Sequence, residues 1–308
     1  MSDAPTTVAE THTPSDLIDQ LTLERIELNL FRGFSPADEG PRMFGGLVIA
    51  QALLAAYGTV SDRVCHSLHA YFIRPGDPTI PTLYEVDRSR DGGSFTTRRV
   101  TAVQRGEQIF NLAASFQVDE GGAEHQFPMP THWPDPETVP DERTRYLEVP
   151  ETLRDRLPDW IRRNMTRDRP IDLRWIDPQP VDRRPEKKPA QKAVWMRCKP
   201  AIGDSRALQQ ALMAYASDMA FMETALRVHG LTWQTPGLQT ASLDHAMWFH
   251  RPTDFNDWHL YDQDAPSTSA GRGFVRGAIY SQDGVLAASV AQECLMRQRP
   301  PKPKAEAA

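Results

Sequence analysis

A stretch of about fifty residues occurs twice in this chain, and the second copy carries polar groups that the first lacks. The first copy reads His66-Ser-Leu-His-Ala-Tyr-Phe-Ile-Arg-Pro-Gly76, then Ser94-Phe-Thr-Thr-Arg-Arg99, then Asn111-Leu-Ala-Ala-Ser-Phe-Gln117. The second reads Ala241-Ser-Leu-Asp-His-Ala-Met-Trp-Phe-His-Arg-Pro252, then Gly271-Arg-Gly-Phe-Val-Arg276, then Val285-Leu-Ala-Ala-Ser-Val-Ala-Gln-Glu293. The same order at nearly equal spacing argues for a duplicated unit. A period this long means two domains rather than a solenoid. Differences between the copies are then candidates for chemistry.

At 308 residues, two units fit, each large enough to bury a core. Residues 1–19 and 299–308 are polar and rich in Thr, Pro, Lys or Ala, and are expected to be disordered. The first unit spans 20–118 and the second 170–298. Between them, 119–169 is proline-rich with few periodic apolar positions, and is expected to be a linker with a short helix near Glu151 to Arg163. Leu23 to Leu30 reads as a strand and Phe44-Gly-Gly opens an apolar helix. Strands are predicted near 65–74, 82–90, 95–104 and 108–118. In the second unit Ile171–Ile176 and Ala193–Cys198 read as strands, and Ser205 to about Leu226 as one long helix. Strands are predicted again at 239–250, 257–263, 272–281 and 285–297. Each unit is thus a strand, a hydrophobic helix and a four-stranded meander. This is an α+β architecture in which an antiparallel sheet can wrap a central helix.

A net charge of −6 gives no reason to expect nucleic acid or an anionic membrane as partner. The longest apolar run, Leu47 to Ala56, is too short for membrane insertion. Cys65, Cys198 and Cys294 are odd in number and far apart, which fits a reducing cytoplasm better than disulfides or zinc. No signal-peptide pattern opens the chain and no Ser-Lys-Leu-type address closes it, so a cytoplasmic location is expected.

Three polar residues stand out. On the second helix, Leu208, Ala211, Leu212, Tyr215, Met219, Met222 and Leu226 form one apolar stripe, and Asp218 falls on its edge. A carboxylate there is partly desolvated, and such a group is either paired or used; a boundary aspartate capping a backbone amide is the bland alternative. Ser242 begins a strand on which Ser242, Asp244 and Ala246 share one face and Leu243, His245 and Met247 the other. Such a hydroxyl is commonly only a backbone hydrogen-bonder. Gln292 lies inside an apolar strand, where its amide must find partners; its first-unit counterpart lies near Phe116 or Gln117. His245 is tempting as a general base with Asp244, but adjacent strand residues point apart, so it reads as a structural histidine. Gln51, on the inner stripe of the first helix, is either a core hydrogen-bonder or the vestige of a second site. No G-x-S-x-G elbow surrounds Ser94, Ser217 or Ser242, no H-E-x-x-H or paired cysteines suggest metal, and no phosphate loop occurs. The two glycines after Phe44 could aim backbone N–H groups at an oxygen, or simply allow close packing.

Taken together, the sequence resembles the acyl-CoA thioesterase II family. The matching stretches are Leu30-Phe-Arg-Gly33, Phe44-Gly-Gly46 with Gln51-Ala-Leu53, His66 through Asp77, Arg90-Asp-Gly92 and Arg98-Arg-Val100. They continue with Tyr215-Ala-Ser-Asp218, Leu243 through Pro252, Ser269 through Phe274, Gln282 through Ala287 and Ala291-Gln-Glu293. The resemblance implies a double hot-dog fold and hydrolysis of fatty acyl-CoA to free acid and CoA, with no cofactor and no metal. The family's catalytic aspartate, hydroxyl residue and glutamine fall on Asp218, Ser242 and Gln292, with Asp218 as general base toward a water. Arg98, Arg99, Arg272 and Arg276 are candidates for the CoA phosphates, and a homodimer or homotetramer is suggested. The competing readings are a hot-dog hydratase or dehydratase, and a non-catalytic acyl-CoA binder. The first needs a histidine paired with the aspartate on its helix, and Met-Ala-Phe-Met-Glu after Asp218 supplies none.

Overall fold

The computed structural model describes residues 16–298 apart from 37–40, 156, 158–161, 163–164, 167 and 179–184. The order of elements is α1 (Leu17–Leu21), β1 (Glu24–Glu27), β2 (Leu30–Gly33), α2 (Gly45–Tyr57), β3 (Val64–Phe72), β4 (Thr82–Asp91), β5 (Phe95–Gln104) and β6 (Glu107–Gln117). A connecting segment then carries α3 (Glu142–Glu148) and α4 (Glu151–Arg154). The second half holds β7 (Ile171–Ile176), β8 (Gln191–Cys198), α5 (Arg206–Ser217), α6 (Glu223–Leu226), β9 (Leu238–Ser242), β10 (Asp244–Phe249), β11 (His259–Ser269), β12 (Arg272–Ser281) and β13 (Leu286–Gln298).

All the strands belong to one antiparallel sheet, ordered β1-β2-β4-β5-β6-β3-β10-β13-β12-β11-β8-β7, with β9 also pairing with β13. The halves join where β3 lies beside β10, with Leu68 opposite Met247 and Ser67 opposite Trp248. The sheet curls around α2 and α5, which pack on each other. α2 has no polar face because it has no solvent face. Every residue from Gly46 to Ala56 except Leu54 is buried, as expected of a helix enclosed by sheet.

Gln51 is the polar exception on α2, and it is a core hydrogen-bonder. Its Nε2 donates to Gln20 O (2.6 Å) and Phe34 O (2.8 Å), and its Oε1 accepts from Tyr84 (2.6 Å). Replacing Gln51 with Leu removes all three bonds inside the core. The expected cost is about 1–3 kcal/mol of stability, seen as a lower urea midpoint.

Four expectations need correction. The segment 1–19 was expected to be disordered; residues 1–15 lie outside the described residues, but Asp16 caps α1 through Asp19 N (2.9 Å) and Leu17 is buried. The strand expected over Leu23–Leu30 is a hairpin, β1 turning at Leu28-Asn29 into β2. The connecting segment is not loose: Trp195 donates to Pro134 O and Trp258 to Glu137. Val139 packs with Trp195, Trp258 and Leu260 on the outer side of the second half. It carries α3, which has no long apolar stripe to betray it. The helix expected over Glu151–Arg163 is α4, and many of the residues between Arg154 and Asp168 lie outside the described ones. The tail 299–308 also lies outside them. Last, the long helix expected over Ser205–Leu226 breaks after Ser217. The Ser217 hydroxyl lies 2.8 Å from Ala214 O, Met219 N turns back to Ala216 O, and the helix resumes only at Glu223.

Candidate active site

The helix break determines where Asp218 sits. It is the C-cap of α5, not a mid-helix edge residue. Its side chain therefore leaves the helix end and enters the space between α2 and the strand pair β9–β13.

A β-bulge delivers the second residue. Ser242 pairs with Cys294, yet Ala246 pairs with Ala291, so β9–β10 carries one extra residue against β13. Leu243 is that residue: its N–H donates to Glu293 O (2.9 Å) and its carbonyl accepts from Phe72 N (3.0 Å). Asp244 closes the bulge, its Oδ1 accepting the Glu293 N–H (2.7 Å) in place of a ladder carbonyl. Simple alternation would have set Ser242 and His245 on opposite faces. The extra residue puts both on the inner face, which is what bulges beside active sites do. Gln292 needs no such device, because Val290, Gln292 and Cys294 alternate inward along β13.

The three side chains meet. The Ser242 hydroxyl donates to Asp218 Oδ1 (3.1 Å) and accepts from Gln292 Nε2 (3.1 Å). The Gln292 amide and the backbone N–H of Gly46, in the first turn of α2, also face Asp218 closely enough to favour its ionised form. Asp218 keeps an accessible edge onto a cavity but is otherwise enclosed by protein. Burial pushes its carboxyl up to about 6 despite these three donors.

The glycines after Phe44 are required by contact. A Cβ on Gly45 would lie 2.6 Å from Asp218 Oδ2 and 3.0 Å from the Phe72 ring. One on Gly46 would lie 2.3 Å from Tyr215 O. Both of the roles open for Phe44-Gly-Gly therefore hold: close packing of α2 on α5, and an N–H aimed at an anionic oxygen.

His245 is a residue that strand alternation alone would dismiss as remote from Asp218. Its Nδ1 is 2.6 Å from Gln292 Oε1 and its Nε2 is 2.9 Å from the Ser217 hydroxyl. It is buried, and its ring bonds go to Gln292 and Ser217 rather than to Asp218 or Asp244, so it does not form the general-base pair that Asp244 suggested. Burial lowers its pKa to about 4, leaving the ring neutral.

The first half lacks this constellation. Its β3 has the same bulge, between Cys65 and Ser67, and Leu68 pairs with Ala114. By that register Cys65, Leu68 and Ala114 stand where Ser242, His245 and Gln292 stand, and Gly58 ends α2 as Asp218 ends α5. The counterpart of Gln292 is thus Ala114, not Phe116 or Gln117. The matching Ala-Ala-Ser words are offset by four residues along the ladder, a shift that hydrogen-bond register exposes and letters alone conceal.

The cavity beside Asp218 measures about 640 Å³ and draws its walls from both halves. Phe44, Val48, Phe72 and Phe110 come from the first, and Met219, Met222 and Ser242 from the second. Arg42 and Arg74 lie at its rim. Three of the arginines considered from sequence are committed elsewhere: Arg98 is buried against Thr59 and Asp91, Arg272 pairs with Glu293, and Arg276 with Asp264. Arg99 is an exposed residue of β5 and is not part of the cavity wall.

Residues 174–295 match the family described as acyl-CoA thioesterase, and residues 35–117 match the acyl-CoA thioesterase N-terminal domain. Human acyl-coenzyme A thioesterase 8 is 41% identical over 286 residues, covering 91% of this chain and 88% of that one. This chain belongs to the acyl-CoA thioesterase II family. A crystal structure of an acyl-CoA thioesterase II from Mycobacterium marinum aligns at a TM-score of 0.72 and 38% identity, covering 91% of this chain and 97% of the other. A protein described as having a hot dog fold, from Alicyclobacillus acidocaldarius, aligns at 0.67 with 21% identity over 91% and 97%, a likeness of fold alone. The thioesterase is thus an α+β double hot dog that hydrolyses acyl-CoA. The hydratase and pure-binder readings fall with that assignment.

Proposed function

We propose that the hydrolysis runs on a water activated by Asp218, assisted by Ser242 and Gln292, and that the acyl group is a fatty chain. The observation carrying this reading is an enclosed carboxylate near pKa 6 that collects three donors at the wall of a largely apolar cavity. A base of that strength is ionised at neutral pH yet still basic enough to take a proton. The water is assigned to the cavity side of Asp218, where Gly45 and Phe72 also line the wall.

In the proposed step the water oxygen bonds to the thioester carbon while one water proton passes to Asp218. The carbonyl becomes an oxyanion, for which we assign the first-turn N–H of Gly45 as donor. Collapse breaks the carbon–sulfur bond, and the proton on Asp218 passes to the departing thiolate, giving CoA and the free acid. Ser242 and Gln292 hold the carboxylate and water in line. The acyl chain is placed along Phe44, Val48, Phe72 and Met222, and the CoA phosphates near Arg42, with Arg74 beside it already engaged by Glu107 and the Gln108 carbonyl.

A cytoplasmic location and a homodimer or homotetramer belong to the same proposal. Three free, buried cysteines support the first. Exposed Tyr71, Phe95, Trp248 and Phe274 support the second. The division into a first unit (20–118) and a second (170–298) that supplies all three site side chains belongs to this proposal as well.

Thiol release from saturated acyl-CoA of graded chain length tests the fatty-substrate reading; preference for the shortest acyl groups would overturn it. Gln292→Ala is expected to lower kcat about tenfold, less than loss of Asp218. Unchanged kinetics would remove Gln292 from the site.

A further inference from the structure

We propose that His245 is a positioning residue: backed by Ser217, it locks the Gln292 amide in the orientation that turns its N–H groups toward Ser242 and Asp218. This rests on the reading of Asp218 as the base.

The two ends of a glutamine amide are nearly the same shape but opposite in hydrogen-bonding sense. Gln292 has polar groups on both sides. Asp218, when ionised, only accepts, so the amide must offer it N–H. The amide oxygen then faces His245 Nδ1 at 2.6 Å, and Nδ1 must carry a hydrogen. A neutral imidazole has one N–H, so Nε2 is left as an acceptor. The Ser217 hydroxyl lies 2.9 Å from Nε2 and also 2.8 Å from Ala214 O, so its single hydrogen serves the ring when it turns from that carbonyl. From His245 onward the proton order is consistent: Nδ1–H to Gln292 Oε1, Gln292 Nε2–H to the Ser242 oxygen, and the Ser242 hydroxyl to Asp218. If the imidazole carried its proton on Nε2 instead, Gln292 would turn over and set its oxygen against Asp218.

His245 is fully buried, touched by the Phe221 ring from the segment after α5 and paired with Ala70 of β3. Burial and Gln292 set its proton affinity. Near Asp218 stand Tyr261 of β11 and Cys294 of β13, both held neutral because burial pushes them up, Cys294 to about 12. Asp244 and Glu293 are engaged in the bulge and with Arg272. Leu68, the first-half counterpart of His245, sits beside Ala114, where there is no amide to orient.

The test compares His245→Leu, which borrows that natural counterpart, with His245→Asn, whose Nδ2 falls near the lost Nδ1. Thiol release from acyl-CoA is measured across pH. For His245→Leu we expect kcat to fall about tenfold, KM to stay within about twofold, and the acidic limb of kcat to move up by about half a pH unit or more, because an unrestrained Gln292 no longer favours the ionised carboxylate. His245→Asn should recover both kcat and the limb. If His245→Leu does not fold, Ser217→Ala keeps the ring and should move the limb in the same direction. The proposal is overturned if the variants lose activity with the limb in place and no rescue by Asn, as a purely structural histidine would behave, or if His245→Leu matches the parent. Asp218→Asn measured alongside separates the two failures: parental turnover there sinks the base assignment whatever His245 does.

Discussion

Asp218→Asn is expected to lower kcat by about 10²- to 10⁴-fold, the range that a positioned general base contributes, while KM stays near the parent value. In the parent, kcat should fall about tenfold per pH unit below about pH 6, as the carboxylate takes up its proton. That limb should be absent from whatever activity the Asn variant retains. Parental turnover by Asp218→Asn would end the water-activation mechanism. The same substitution should not weaken the fold. The Asp218 carboxyl is raised from 3.8 to about 6 by burial, so the native state disfavours its charged form by about 3 kcal/mol at neutral pH. Below its unfolded pKa the group is protonated in both states and costs nothing. Between about pH 4 and 6 the unfolded chain ionises first, and stability is lost as pH rises. An uncharged Asn escapes that loss, although its own N–H group meets donors already aimed at the site. Thermal melts at about pH 7.5 should therefore show Asp218→Asn at least as stable as the parent, with the difference shrinking toward about pH 4. A clearly lower melting temperature at the higher pH would contradict this account. Sites that cost stability and supply chemistry are a known trade.

Gly46→Ala is the second large effect. The added Cβ would press to 2.3 Å from Tyr215 O, a backbone atom of α5 that cannot swing aside. α2 and α5 must separate, and the Gly46 N–H withdraws from Asp218. Overpacking of this kind costs about 1–3 kcal/mol. We expect a melting temperature lower by several degrees and kcat/KM at least about tenfold lower. Gly45→Ala makes an informative companion. Its Cβ would approach Asp218 Oδ2 and the edge of the Phe72 ring, side-chain atoms with some freedom to move. It should therefore cost less stability than Gly46→Ala while still obstructing the space assigned to water. Equal melting temperatures for both variants and the parent would show that the helices have room which the packing denies.

The duplicated pattern, the apolar helix after Phe44 and the alternating strands were legible in the residues, because core burial imposes a period of two or 3.6 on any chain that folds this way. So were Asp218 and Gln292, as polar groups at positions where grease is the rule. The family resemblance grouped them with Ser242, but the geometry by which they meet was not legible in the residues themselves. Ser242 and His245 lie three apart on what reads as one strand, and alternation places them on opposite faces. A single unpaired residue, Leu243, reverses that, and its place depends on hydrogen bonds to Glu293 and Phe72 from two different strands. Asp218 reads as a helix-edge residue, yet the helix ends there, with Met219 N turning back to the Ala216 carbonyl, an ending that no propensity signals. The true partner of Gln292 in the first half, Ala114, was hidden behind a repeated Ala-Ala-Ser word in the wrong register. Local sequence therefore determined which segments are helix and strand, and which faces are apolar, since those depend on neighbours a few residues away. Only the tertiary structure decided that Asp218, Ser242, Gln292 and the Gly46 N–H converge. That depends on where α2 of one half abuts the end of α5 in the other, and on one bulge in the sheet between them, and such long-range geometry leaves no periodic trace in the chain.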